Sequence, residues 1–178
     1  MPVSIGFGFN FFSWNKSQEL SKEAMTVDGA LTITDVANVK NLVPGDKICD
    51  GVTMDIKSSA VSLLRVKVDV YCADSTTPET NIEPIKNTNA DWLKGSDGYY
   101  YYTQGVKNGD IVKLAEEGIY FNGLNDNVDM NKYQGKKIKV VANAELVQAK
   151  HGVFEKKWGL NSGEIYTKLL AVSEAQGK

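Results

Sequence analysis

The segment "KKIKVVANAELVQA" (residues 136–149) sets Ile138, Val140, Ala142, Ala144 and Leu146 at every second position, with mostly polar residues between them. Period two sustained over that length describes a strand with one buried face and rules out an amphipathic helix. The alanines in the middle of the face leave room for bulky side chains from a facing layer, because interiors are close-packed. The same alternation recurs in "GALTITDV" (29–36), in two long segments at 47–57 and 61–72, and in a tyrosine-rich strand with its hairpin partner inside residues 91–114. A chain with this many strands is committed to sheets, and the remaining question is how they are stacked and closed.

Turn chemistry separates the strands. Pro44-Gly45-Asp46 precedes one, and Lys107-Asn108-Gly109-Asp110 is a strong hairpin signal between two others. Residues 73–91 are polar with two prolines and read as a surface excursion, Trp92 as a short helical turn, and 116–123 as a further strand. Residues 15–25 read as a short polar helix or a loop. The segment 161–175 is the one convincing helix, with Asn161 and Glu164 at capping-box spacing and Ile165, Leu169 and Val172 on one stripe. The expected fold is all-β, a jelly-roll-like antiparallel β-sandwich with one or two short helices.

At 178 residues the chain is long enough for one domain with a real core and no metal or disulfide staple. Its 24% charged residues and net charge of -2 give no basic run for nucleic acid or an anionic membrane, and no apolar stretch is long enough to span a bilayer. The opening residues lack the basic and long apolar regions of a secretory signal. Parity argues against a disulfide between Cys49 and Cys72. Ile48, Val52, Met54 and Ile56 set the apolar phase of one strand and leave Cys49 on the other face, whereas Cys72 falls inside; a bulge at Asp50-Gly51 would bring Cys49 into phase.

The chain begins "SIGFGFNFFSW" (4–14), where Ile5, Phe7, Phe9 and Phe11 alternate with Gly6, Gly8 and Asn10. Chain termini fray unless something receives them. The expectation is a donor strand at residues 1–14 whose apolar positions Ile5, Phe7, Phe9 and Phe11 are received by another copy, followed by a single sandwich domain at 15–178. The competing expectation is that residues 3–12 fold back as the first strand of their own sandwich.

No catalytic constellation emerges. H-E-x-x-H, G-x-S-x-G, a Walker loop and a helix-opening G-x-G-x-x-G are all missing from the sequence. His151 is the single histidine and has no partner in sight, so it reads as a solvated loop residue. "NDNVDMN" carries Asp126 and Asp129, whose oxygens suit Ca²⁺, but the spacing fails the EF-hand pattern and a solvated turn fits better. The four tyrosines 99–102 would offer a stacking platform for carbohydrate if their rings were open, and a covered strand otherwise. The expectation is therefore a non-enzyme with no catalytic residues, no cofactor and no metal.

"NLVPGD" (41–46), "SDGYYYYTQGVKNGD" (96–110), "KKIKVVANAELVQA" (136–149) and "FEKKWGL" (154–160) occur here in the same order as in the TasA/camelysin family of biofilm-matrix fibre proteins. The chain resembles that family over residues 29–160, and its clostridial BsaA-type members in particular. The most specific elements are the D-G-Y-Y-Y-Y strand and the strand containing Ile138, Val140, Ala144, Glu145, Val147, Gln148 and Ala149. The resemblance implies an exported, jelly-roll-like matrix protein that polymerises with itself, head to tail, by giving an N-terminal strand to its neighbour. Its place would be the extracellular matrix or cell surface, or alternatively a spore appendage. Camelysins are also described as metalloproteases, but this chain carries no zinc-ligand set. A monomeric surface adhesin or carbohydrate-binding sandwich is the alternative; it accounts for the tyrosines and not for the leading strand.

Overall fold

A computed structural model describes residues 3–7 and 29–38 as backbone strands and residues 43–177 in full. The strands are β1 (Val3–Phe7), β2 (Gly29–Asn38), β3 (Lys47–Cys49), β4 (Val52–Ile56), β5 (Ser62–Cys72), β6 (Trp92–Lys94), β7 (Tyr100–Val106), β8 (Ile111–Leu114), β9 (Ile119–Tyr120) and β10 (Lys137–Gln148). Two helices follow them, α1 (Val153–Trp158) and α2 (Gly163–Ala175), and single 3-10 turns lie at Met130–Tyr133 and Lys150–Gly152. The protein is mostly β. A five-stranded sheet runs β2-β10-β5-β7-β6, a three-stranded sheet runs β1-β4-β8, and β3 pairs with β9. Among the described residues every strand pairing is antiparallel except that of β1 with β4, which is parallel.

The alternation in β10 does what its pattern requires. Ile138, Val140, Ala142, Ala144 and Leu146 are all buried and join one core with Leu64, Val66 and Val70 of β5, Val52, Met54 and Ile56 of β4, Val112 and Leu114 of β8, and Phe121. On the opposite face of the large sheet Leu63, Tyr101 and Val147, toward one end of β5 and β10, are covered by Phe154 of α1 and Leu169 of α2. Truncating Phe154, which is fully buried, is expected to cost about 3–5 kcal/mol, read as a shift in the urea midpoint with the slope unchanged.

Several local expectations give way to tertiary structure. Segment 47–57 is two strands, because the chain leaves the β3–β9 pair and enters the β4–β8 pair at Asp50 and Gly51. That crossing resets the parity, so Cys49 lies in the same core as Cys72, both buried and both thiols. A Cβ on Gly51 would lie 1.9 Å from the carbonyl oxygen of Ala115, so only glycine fits the crossing. Trp92 is strand, not helical turn, and its indole N–H donates to the carbonyl of Lys113 at 3.0 Å. The excursion 73–91 is less superficial than its composition suggests, since Ile82 and Ile85 are buried in the core and Ile82 bridges to Gly123. Helix α2 starts at Gly163 after Ser162, which makes no side-chain cap bond, so the Asn161–Glu164 box does not form. Its stripe holds: Leu169 is buried, with Ile165 and Val172 packed beside it. Residues 15–25, Phe9 and Phe11 lie outside the described residues. Among the described residues no helix is long and apolar enough to cross a membrane.

Candidate assembly interface

The three-stranded sheet is built around β4. Its alternation is strict: Val52, Met54 and Ile56 are buried while Thr53 and Asp55 are half-buried. On one side β8 pairs with it antiparallel, and the Lys107–Asp110 turn that leads from β7 into β8 is held to the end of β4 by the Gly109 N–H donating to the Ile56 carbonyl at 2.8 Å and closed by the Lys107 N–H donating to Asp110 at 2.9 Å. On its other side β4 has β1. The register sets Val3 opposite Val52, Ile5 opposite Met54 and Phe7 opposite Ile56, so the period-two positions of the opening segment align with the buried positions of β4. β1 also runs close to β2, the outermost strand of the five-stranded sheet. It thus occupies the seam between an edge of the small sheet and an edge of the large one. Without β1 the β4 edge has unpaired N–H and C=O groups along five residues, a template for any strand of matching pattern.

In the isolated chain the strand in that seam is the chain's own. Ile5 and Phe7 fall within it, whereas Phe9 and Phe11 lie outside the described residues. The parallel direction is informative, because a parallel strand cannot be delivered by a tight hairpin and must arrive over a long connection. Among the described residues the strand that follows β1 in the chain is β2, which belongs to the other sheet. A strand tethered in this way is the kind of element that copies of a protein can exchange.

The tyrosine strand forms no platform. Tyr100 sits in the main core and Tyr101 lies fully buried beneath the helices, while Tyr99 and Tyr102 are half-buried, the latter tilted against Trp92 at 5.0 Å. Around Tyr101 is a cluster that composition and spacing gave no sign of. Arg65 Nε donates to Glu145, its Nη1 donates to the Tyr101 hydroxyl at 3.2 Å, and that hydroxyl donates to Asp97. The guanidinium lies 3.9 Å from the Tyr99 ring centre and 4.9 Å from that of Trp158. The pairing Arg65↔Glu145 is direct across β5 and β10, so a strand alignment would have been needed to find it. Nothing in the cluster is a nucleophile paired with a base; it fastens α1 to the sheet.

Burial, reinforced by the hydrogen bond to Asp97, pushes the Tyr101 phenol up to about 12, and burial with the neighbouring Glu83 carboxylate does the same for Tyr100. The fold holds the neutral phenols. Their contribution to stability is therefore complete below pH about 10 and is lost as pH rises toward about 12. Alkaline titration followed at 295 nm is expected to show the half-buried tyrosines ionising first, and the buried Tyr100 and Tyr101 only with loss of the near-ultraviolet circular dichroism.

The remaining candidates stay apart from the seam. Asp129 caps the 3-10 turn by accepting the Asn131 N–H at 3.0 Å, and Asn125 accepts the Asn127 N–H at 2.9 Å, so the "NDNVDMN" loop spends its oxygens on its own backbone. Asp126 and Asp129 both line an open groove of about 720 Å³ shared with Pro44, Ile85 and Leu124. Among the described residues no three His, Cys, Asp or Glu side chains converge as metal ligands. His151 is exposed, on a left-handed turn at φ 66° that leads into α1.

No protein-family model matches the chain, and neither a curated protein nor a solved structure does.

Proposed function

We propose that the protein is the structural subunit of an extracellular fibre, a jelly-roll-like sandwich whose β4 edge is completed by the N-terminal strand of the next copy. The observation that carries this reading is the parallel pairing of Val3–Phe7 with β4, in register with the buried positions Val52, Met54 and Ile56. One strand can make the same backbone ladder with its own β4 or with a neighbour's. The donor and acceptor surfaces differ, so exchange produces a head-to-tail contact that propagates as an open polymer unless a rotation closes it. The motif resemblance to the TasA/camelysin family supports the same reading and the same places of action, a biofilm matrix, a cell surface or a spore appendage. The protein acts by assembly with itself and needs no catalytic residue, metal or cofactor for it. The adhesin alternative has little to stand on, since Tyr100 and Tyr101 are not available to a sugar.

Register supplies the test. Ser4 faces Thr53 across the ladder. Neighbouring strands lie about 5 Å apart, within disulfide reach. In the Ser4→Cys/Thr53→Cys variant, mild oxidation at high protein concentration is expected to give a ladder of covalent multimers on a denaturing, non-reducing gel. A single monomer-sized band carrying an internal bridge, at every concentration, overturns the proposal.

A further inference from the structure

The turn that leads from β7 into β8 carries an asparagine followed by a glycine, Asn108-Gly109, and both residues are exposed. In such a pair the amide nitrogen of the glycine can attack the side-chain carbonyl carbon of the asparagine, because glycine has no side chain to shield that nitrogen. Here the nitrogen is engaged. The Gly109 N–H donates to the Ile56 carbonyl at 2.8 Å and the Ile56 N–H donates to the Asp110 carbonyl at 2.8 Å, so the turn and the end of β4 are clamped together. The turn is also closed on itself, by the Asp110 N–H donating to the Lys107 carbonyl at 3.1 Å and the Lys107 N–H donating to the Asp110 carboxylate at 2.9 Å. The other asparagine-glycine pair among the described residues, Asn122-Gly123, is half-buried in a bridge, where the Asn122 carbonyl accepts the Glu83 N–H at 3.0 Å and the Leu124 N–H donates to Asn81 at 2.7 Å. Its backbone cannot rotate without breaking that bridge.

We propose that Asn108 is a self-modifying site, held latent while the Gly109 N–H is bonded to Ile56 and converted to aspartyl and isoaspartyl residues when that bond opens. Such a bond opens by local fluctuation, without global unfolding. In the step the Gly109 nitrogen forms a bond to the Asn108 side-chain carbon, and its proton passes through solvent to the departing amide group, which leaves as ammonia. Water then opens the five-membered imide at either carbonyl, and nothing is oxidised or reduced. Opening at the backbone carbonyl gives an isoaspartyl residue, in which the main chain runs through the former side chain. That adds one carbon to the backbone of the turn, and both products place a new carboxylate two residues from Asp110. The clamp on Ile56 is not re-formed around the longer backbone. Ile56 is the β4 residue whose register partner is Phe7, so conversion at 108 loosens the end of the edge that receives β1. The chemistry is the same whichever copy supplies β1, and it does not depend on strand exchange.

The full chain tests this when it is incubated in mildly alkaline buffer, both folded and in concentrated urea, with the peptide containing residue 108 followed by mass spectrometry for exchange of ammonia for water. Conversion in the folded chain is expected to be about tenfold slower or more than in the unfolded chain, the protection that a clamp of two backbone hydrogen bonds supplies. Asp110→Ala removes the acceptor of the Lys107 N–H and leaves the β4–β8 ladder in place. In the folded state it is expected to speed both amide exchange at Gly109 and conversion at 108, and in urea to leave the rate of conversion unchanged. Conversion of the folded chain at the unfolded rate overturns the proposal, because the clamp then withholds nothing. So does an Asp110→Ala chain whose Gly109 amide exchanges faster while residue 108 converts no faster.

Discussion

A chain lacking residues 1–12 is expected to remain folded but to form no fibres, where the full chain extends them. The deletion removes β1 and leaves β4 as the edge of a two-stranded sheet with β8. The main core loses none of the side chains of β5, β7, β8 and β10 that build it. What it loses is the strand across the seam. Burying one large apolar side chain contributes roughly 1.5–3 kcal/mol, so Ile5, Phe7, Phe9 and Phe11 together represent on the order of 6–12 before the cost of ordering the segment. That is ample for a tight link between subunits, and its removal is total because the deleted chain has no donor. Added peptide "SIGFGFNFFSW" is expected to bind the truncated protein, raise its melting temperature and still not restore polymerisation, since a free peptide is not tethered to a second subunit. Negative-stain micrographs and thermal melts decide it. Fibres formed normally by the truncated chain, or an unfolded chain that the peptide does not rescue, would falsify strand exchange.

Gly51→Ala is expected to destabilise the protein by about 2–4 kcal/mol, at or beyond the top of the range for overpacking, because the atoms in the way are backbone. The new methyl would meet the Ala115 carbonyl oxygen at 1.9 Å and the Leu114 carbonyl oxygen at 2.7 Å. Ala115 is itself held in a left-handed turn at φ 55° and accepts the Gly118 N–H at 2.8 Å, so it cannot retreat without opening that turn. The comparison is Gly109→Ala in the turn between β7 and β8. There φ is +92° and nothing lies within 4 Å, so only conformational strain applies, about 1 kcal/mol. Denaturant melts of the two variants are expected to rank in that order. If Gly51→Ala costs no more than Gly109→Ala, the close crossing between β3 and β4 is not rigid.

Strand propensity and period were legible directly. The buried face of β10, the stripe of α2 and the strand at Gly29–Asn38 all follow from alternation within a single segment, whereas the Asn108-Gly109 turn forms without the expected hairpin, because β7 and β8 on its two sides belong to different sheets. Less legible were the places where two segments share an environment. Parity along one continuous strand from 47 to 57 puts Cys49 outside, and the change of sheet at Gly51 brings it inside. The tyrosine run gave its strand but not its covering, because Tyr101 is buried by helices that begin some fifty residues later. The Asn161–Glu164 box was a matching spacing whose helix starts one residue too late to use it.

The sequence by itself determined that this chain is a β protein with an apolar, alternating first strand and no catalytic constellation in its motifs, because period and residue chemistry are local properties. Only the tertiary structure decided which edge that strand meets and in which direction. Pairing partners are a matter of which distant backbone groups remain unsatisfied once the core has closed, and no local pattern encodes that remainder.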